Sequence, residues 1–205
     1  MPFVLVDHAS LMYTADSVLT DNKLGGFIIT KYLLDKGFRQ IGFFGDLNYS
    51  LSIKERSFGF KEALMSFGTD LDPENLDDYI KQYSILSNIE QAVLKNDTQK
   101  IVQLIKMARN LPQAFVCSND RAAIALLMAL QILNMNVPED ISLVGFDNID
   151  MCEKVNPKLT TVHVDKEALG KRAVQRLKYQ IEHQNSAPEN TVISVRLVER
   201  DSVKR

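Results

Sequence analysis

The sequence predicts an α/β protein built on mostly parallel sheet. Two observations carry this. Short Val/Ile/Phe-rich segments alternate along the 205 residues with longer stretches of helical periodicity, the order that produces parallel strands joined by covering helices. Nearly all the short segments also lack the apolar–polar alternation of a half-exposed strand, as expected where helices cover both sheet faces.

Strands are expected at Phe3–Val6, Ser17–Thr20, Ile41–Phe44, Tyr79–Gln82, Ala114–Ser118, Ser142–Phe146, Thr160–Val164 and Val192–Val198. Between them, Gly25–Asp35 gathers Phe27, Ile28, Tyr32 and Leu33 on one side and stops at Gly37, a residue suited to helix ends. Gly25-Gly26 lacks the spaced glycines and lysine of a phosphate-cradling loop and reads as a structural turn. Ile53–Phe67 spaces Phe60, Leu64 and Phe67 along one face and ends before Gly68. Thr98–Arg109 repeats the pattern with Ile101, Leu104, Ile105 and Ala108, with Asp97 placed to cap it. Asp120–Asn134 is apolar almost all round, which implies burial on several sides or packing against a second subunit. Lys166–His183 brings Leu169, Ala173, Leu177 and Ile181 into register. Only two strands and one late helix remain for a separate first lobe, fewer than a parallel sheet needs to bury both faces.

Composition narrows the function. Twenty-four basic residues against 26 acidic ones give a formal charge of −2; a module that grips DNA by itself carries an excess of Lys and Arg. No apolar run approaches the roughly 20 residues of a membrane span, and the amino terminus lacks the basic start and cleavage site of a secretory signal. Cys117 and Cys152 are far apart, in neither metal-ligand nor redox spacing, and His8, His163 and His183 share no motif. A cytoplasmic protein without cofactor or metal is expected.

Ligands of open parallel sheets bind beyond the carboxyl ends of the strands. Three sets of polar residues stand there: Asn119-Asp120 after Ala114–Ser118, Asp147-Asn148 after Ser142–Phe146, and Arg56 past the loop that follows Ile41–Phe44. A carboxylate accepting from adjacent hydroxyls, with a guanidinium and an amide donating to the oxygens between them, is the chemistry of sugar or nucleoside recognition. Each set also has a plain structural role. Asp147-Asn148 suits an Asx turn, Asn119-Asp120 a helix cap, and Arg56 alone would be a solvated charge at a helix start. Asp120 is expected at the helix terminus, with Asn119 facing the ligand.

At these residues the sequence resembles the lactose/galactose-repressor (LacI/GalR-type) family of bacterial transcription regulators. The segments that carry the resemblance are "VPEDISLVGFDN" followed by "NPKLTTV", "DNKLGG" at 21–26, "GFRQIGFFG" at 37–45, "RSFGF" at 56–60, "AFVCSND" at 114–120 and "LVERDS" at 197–202. The resemblance implies the effector-binding region of a repressor, with a periplasmic-binding-protein-like (type I) fold. A sugar or purine-like effector would bind between two lobes, and hinge closure would be relayed to a helix-turn-helix head that this sequence does not contain.

It further implies that residues 1–22 and 166–185 are a remnant of the first lobe. Residues 23–165 and 186–205 would form a nearly complete second lobe, with hinge crossings near Asn22, Asp165 and Ser186. Arg56, Asn119 and Asp147 fall on the family's effector-binding positions, Tyr83 on that of a stacking aromatic ring, and Ser50 and Ser52 in a loop that reaches the ligand. The family dimerises through the region of Leu127, Met128, Met151 and Cys152, so a homodimer is expected. With much of the first lobe missing from the sequence, weak or no effector binding is expected of this chain alone. The rival readings are a periplasmic-type solute-binding protein for sugar transport and a sugar-converting enzyme using Asp120 and Asp147 as an acid–base pair.

Overall fold

The computed structural model describes residues 1–8, 15–67, 71–183 and 187–204. The strands are β1 (Val4–Val6), β2 (Asp16–Thr20), β3 (Ile41–Phe44), β4 (Ala114–Cys117), β5 (Ser142–Asp147), β6 (Thr160–His163), β7 (Asn190–Ile193) and β8 (Arg196–Val198). The helices are α1 (Asn22–Asp35), α2 (Leu51–Phe67), α3 (Leu76–Tyr83), α4 (Ile89–Leu94), α5 (Thr98–Met107), α6 (Asp120–Ile132) and α7 (Lys166–Glu182). Gly68 and Ser186 lie outside the described residues.

The chain divides into two units, residues 1–21 with 164–195 and residues 22–163 with 196–205. The smaller unit holds a three-stranded parallel sheet in the order β1-β2-β7, with α7 beside it. Asp165 caps α7 by accepting from the Ala168 amide. Asp16 is fully buried, and its charge is balanced by Arg176 of α7, whose Nε donates to it at 2.6 Å. A buried carboxylate needs such a partner, because desolvation without one costs several kcal/mol.

The larger unit holds a five-stranded sheet, β3-β4-β5-β6-β8, parallel except for the antiparallel β6–β8 pair. Its strands β3, β4 and β5 are buried on both faces, which explains their largely apolar make-up. Phe44, Phe115, Cys117 and Leu143 join one core with residues of α4, α5 and α6. On the other face Phe43 packs against Phe60 of α2, and Phe146 against α1 at Gly25.

Three expectations are corrected. Tyr79–Gln82 is the end of α3, not a strand; the place beside β3 is taken by Ile85, through a bridge to Phe44. The bulk of Tyr79, Ile80 and Tyr83 imitates a strand, but Pro73 and the acidic pair Asp77-Asp78 suit a helix amino terminus, and the helix prevails. The run Val192–Val198 is two strands, since β7 pairs with β2 in the small sheet while β8 pairs with β6 in the large one. Residues 187–195 therefore belong with the smaller unit, and that crossover falls between Val195 and Arg196. Gly25-Gly26 is not a turn but the first turns of α1. A Cβ on Gly26 would strike the Arg56 carbonyl, and one on Gly59 the Lys23 carbonyl. Glycine at these two positions lets the backbones of α1 and α2 touch.

Candidate functional site

Arg56 lies on the second turn of α2 and is almost wholly buried. The glycine-permitted crossing of α1 and α2 brings its guanidinium over the sheet, 3.7 Å from the centre of the Phe146 ring. A planar cation on an aromatic face is favourable, by up to about 2 kcal/mol when desolvated. Each arm of the fork is used. Nε donates to Asn22 Oδ1 (2.9 Å), Nη1 to the Ser118 carbonyl (2.7 Å) and Nη2 to Asp147 Oδ1 (3.2 Å). Arg56 thus joins the start of α1 to the carboxyl ends of β4 and β5.

Asp147 closes β5 with φ +107°, and Asn148 follows at φ +49°. Two successive non-glycine residues in this region store roughly 1–3 kcal/mol of strain each, a cost tolerated mainly at functional sites. The strain is held from both sides. Arg56 binds Asp147, while Asn148 Oδ1 accepts from Arg200 Nη2 (2.8 Å) and its Nδ2 meets His163 Nδ1 (3.1 Å). Arg200 is in turn fixed by the Leu159 carbonyl (2.8 Å) and by Glu153 (3.1 Å).

Asn119 is the cap of α6, its Oδ1 accepting from the Ala122 amide at 2.9 Å. The cap of α6 is therefore Asn119, with Asp120 in the first turn behind it. Asp120 is fully buried under the sheet, accepting from Thr161 Oγ1 (2.5 Å) and the Ile149 amide (2.9 Å). Gly145 is required here, because a Cβ would collide with the Asp120 carboxylate. Asn119 remains half-exposed, beside Ser118 and the Arg56 network.

Below Ser118 lies an acid that sequence reasoning missed. Glu90 of α4 is buried, accepting from Ser118 Oγ (2.7 Å) and the Asp46 amide (2.8 Å), while Asp46 accepts from the amides of Ile89 and Glu90. Burial pushes the Glu90 carboxyl above its usual range, opposed by the hydrogen bonds from Ser118 and Asp46 and reinforced by the nearby Asp46 charge. Asn22, Phe146 and Arg200 were also missed as site residues, although each lies in or beside a segment the resemblance rests on.

Two expected ligand contacts do not join this cluster. The Tyr83 ring packs against Tyr79, centroids 5.0 Å apart, and the Tyr79 hydroxyl is bound to Ile41 and Arg39 at the amino end of β3. Tyr83 therefore sits alongside β3 rather than beyond its carboxyl end. Ser50 caps α2, its Oγ accepting from the Ile53 amide at 3.2 Å.

The expected interface also divides. Leu127 and Cys152 are core residues, whereas Met128 and Met151 are exposed, as is Ile132. The Cys152 thiol is pushed up to about 12 and that of Cys117 well above its ordinary value, in both cases chiefly by burial, so neither is a ready nucleophile. Among the described residues no group of three His, Cys, Asp or Glu side chains could hold a metal ion, and no helix is long and apolar enough to cross a membrane.

A mostly parallel sheet with polar side chains gathered beyond its strand ends is the architecture of ligand-binding α/β domains. The chain belongs to the periplasmic binding protein-like domain family, whose model matches residues 30–203, and within it to the effector-binding domains of LacI-type regulators. It is 31% identical over 205 residues to the HTH-type transcriptional repressor PurR of Vibrio vulnificus (strain CMCP6), covering all of this chain and 58% of that protein. A LacI family regulator from Enterococcus faecium, solved with bound ribose, superposes with a TM-score of 0.79 at 27% identity, over 98% of this chain and 70% of that one. A LacI-type putative regulator from Bacillus cereus subsp. cytotoxis NVH 391-98 gives a TM-score of 0.81 at 25% identity, over 100% and 68%. These relatives are repressors and regulators, not enzymes. The chain spans little more than half the length of the curated relatives it matches.

Proposed function

We propose that this chain is the effector-sensing part of a cytoplasmic LacI-type transcriptional repressor, and that its effector is a small sugar or purine-like ligand. Arg56, Asp147 and Asn119 are its contacts. The observation that carries the reading is the Arg56–Asp147 pair at the carboxyl rim of the sheet. A donor fork, locked by Asn22 and Ser118, fixes a carboxylate that stays within reach of solvent and hence of ligand hydroxyls. The ribose bound to the Enterococcus faecium relative supports the chemical class.

The mechanism is a population shift. The ligand favours one arrangement of the effector domain over another, and a coupling of about 1–3 kcal/mol shifts affinity for operator DNA roughly 5- to 150-fold. DNA would be read by a separate helix-turn-helix head. The repressors among the relatives favour this reading over a solute receptor for transport. A second copy of the chain is the proposed protein partner, seated on the surface of Met128, Ile132 and Met151. A groove of about 480 Å³, lined in part by Ile124, Met128, Ile149 and Met151, lies at that surface.

A thermal-shift screen of the full-length repressor against pentoses, hexoses and purines, in the wild type and Asp147→Ala, tests the effector assignment. At least one of these ligands should raise the wild-type Tm and leave the variant unmoved. Equal shifts in both proteins would remove Asp147 from the site.

A further inference from the structure

We propose that His163 and Arg200 are positioning residues for Asp147, acting through Asn148, and that His163 does so only as the neutral Nε2–H tautomer. This deepens the effector-site reading and rests on it for its functional meaning, though not for its geometry.

The tautomer follows from the hydrogen bonds. Arg200 has donors only, so the atom of Asn148 it binds at 2.8 Å is the carbonyl oxygen Oδ1. The atom of Asn148 that meets His163 Nδ1 at 3.1 Å is then the amide nitrogen Nδ2, which can only donate. His163 Nδ1 must accept, and the ring proton resides on Nε2. Protonating the ring places an N–H of His163 against the N–H₂ of Asn148, and the contact turns from attractive to repulsive.

Asn148 is where this matters. It is the second of two left-handed residues, so its side-chain anchors select the backbone conformation that turns Asp147 toward Arg56. Asp147 and His163 are also register partners across β5 and β6, and Arg196 is the partner of His163 on β8. The charged groups around the imidazole are Asp147 on β5, Arg196 on β8, Arg200 beyond it with Glu153 bound, and Asp120 of α6 beneath Thr161 on the same sheet face. Two arginines on the β8 side oppose a new positive charge at Nδ1 and the carboxylates of Asp147 and Asp120 offset them, so the contact with Asn148 Nδ2 decides the state of the ring. The anchor therefore holds only while Nδ1 carries no proton and is free to accept from Asn148.

The test is nuclear magnetic resonance on the ligand-free chain between about pH 8 and about pH 5. At the alkaline end the imidazole ¹⁵N spectrum of His163 should show the Nε2–H tautomer. The backbone signals of Asp147, Asn148 and Ile149 and the Arg56 Nε–H signal should then move together with His163 protonation. His163→Gln, whose amide oxygen can accept from Asn148 at every pH, should hold those four signals at their alkaline positions throughout, while His163→Ala should leave them displaced even at the alkaline end. An Nδ1–H tautomer, or site signals that stay still while His163 titrates, overturns the proposal, and the wild-type titration decides it even where a variant does not fold. No ligand enters this experiment, so a site that takes neither sugar nor purine does not alter its result. The reverse also holds: a failed anchor leaves effector binding at the alkaline end to be judged separately.

Discussion

Arg56 donates to Asp147 across 3.2 Å, yet the two side chains are unequal partners: the arginine is 7% exposed and the aspartate 31%. Arg56 is part of the fabric, tied also to Asn22 and Ser118 and laid over Phe146. Asp147 is the end of the chain of contacts that meets solvent. The sequence alone suggests that alanine at 56, 119 or 147 would spare the fold, and the structure separates these cases. Arg56→Ala removes the donor from three acceptors and takes the guanidinium off the Phe146 ring, a loss of about 3–5 kcal/mol at about 1.5 kcal/mol for each hydrogen bond to a charged group. Asp147→Ala removes one of these three bonds and leaves the guanidinium to Asn22, the Ser118 carbonyl and the solvent that reaches the emptied place, a smaller loss of about 1.5 kcal/mol. Urea unfolding of the two variants checks this, and equal losses would contradict the asymmetry.

Asn119 combines a structural with a proposed recognition role, and substitution can separate them. Serine retains a cap oxygen for α6, whereas alanine forfeits about 1 kcal/mol of helix stability. Asn119→Ser should therefore unfold at nearly the wild-type denaturant midpoint and still lose response to any ligand that raises the wild-type Tm. An unchanged response in Asn119→Ser would leave the residue a cap and nothing more.

The buried acid at 90 makes stability depend on pH. Its carboxyl is raised above the ordinary 4.5, so the folded state holds the proton more tightly than the unfolded chain. That contribution is fully present below about pH 4.5 and is lost as pH rises through the interval up to the folded value. Glu90→Gln has no such proton to lose. Its stability relative to the wild type should improve as pH is raised from about 4.5 to neutrality, measured as the difference in urea midpoints at each pH. A difference that is flat across this range would mean that the hydrogen bonds from Ser118 and Asp46 fully offset the burial.

The large sheet was legible because its strands obey one rule. Ile41–Phe44, Ala114–Cys117 and Ser142–Phe146 are apolar apart from Ser142, since helices cover both sides, and they are short and rich in Val, Ile and Phe as buried strands are. Arg56 and Asp147 were legible because ligands gather beyond strand carboxyl ends. The failures have physical causes of their own. Tyr79–Gln82 has strand-like bulk but starts from a proline-led, acidic helix terminus. The break at Ser194–Val195 is invisible to periodicity, because both flanking strands are half-buried and similarly composed. Which of Asn119 and Asp120 caps α6 turns on one extended backbone residue, Asn119 at φ −160° and ψ 175°. Glu90 was missed because a buried acid leaves no sequence signal; its partners lie 28 and 44 residues away.

The exposed face of α6 makes the final case. Of the residues first assigned to a subunit contact, Leu127 and Cys152 are consumed by the core, so substituting them would test folding and not association. Met128, Ile132 and Met151 are about half exposed and beside the apolar groove that also holds Ile124 and Ile149. Large apolar side chains grouped in this way on a surface mark an interaction site more often than isolated ones do. A charge at Met128 would be desolvated in a symmetric contact and would meet its own copy or a neighbouring methionine. Met128→Glu with Met151→Glu should therefore shift sedimentation from dimer to monomer while the thermal transition of the isolated chain stays within about 0.5 kcal/mol of wild type, the usual range for surface changes. A wild-type chain that sediments as a monomer at every concentration tested would withdraw the second copy from this face.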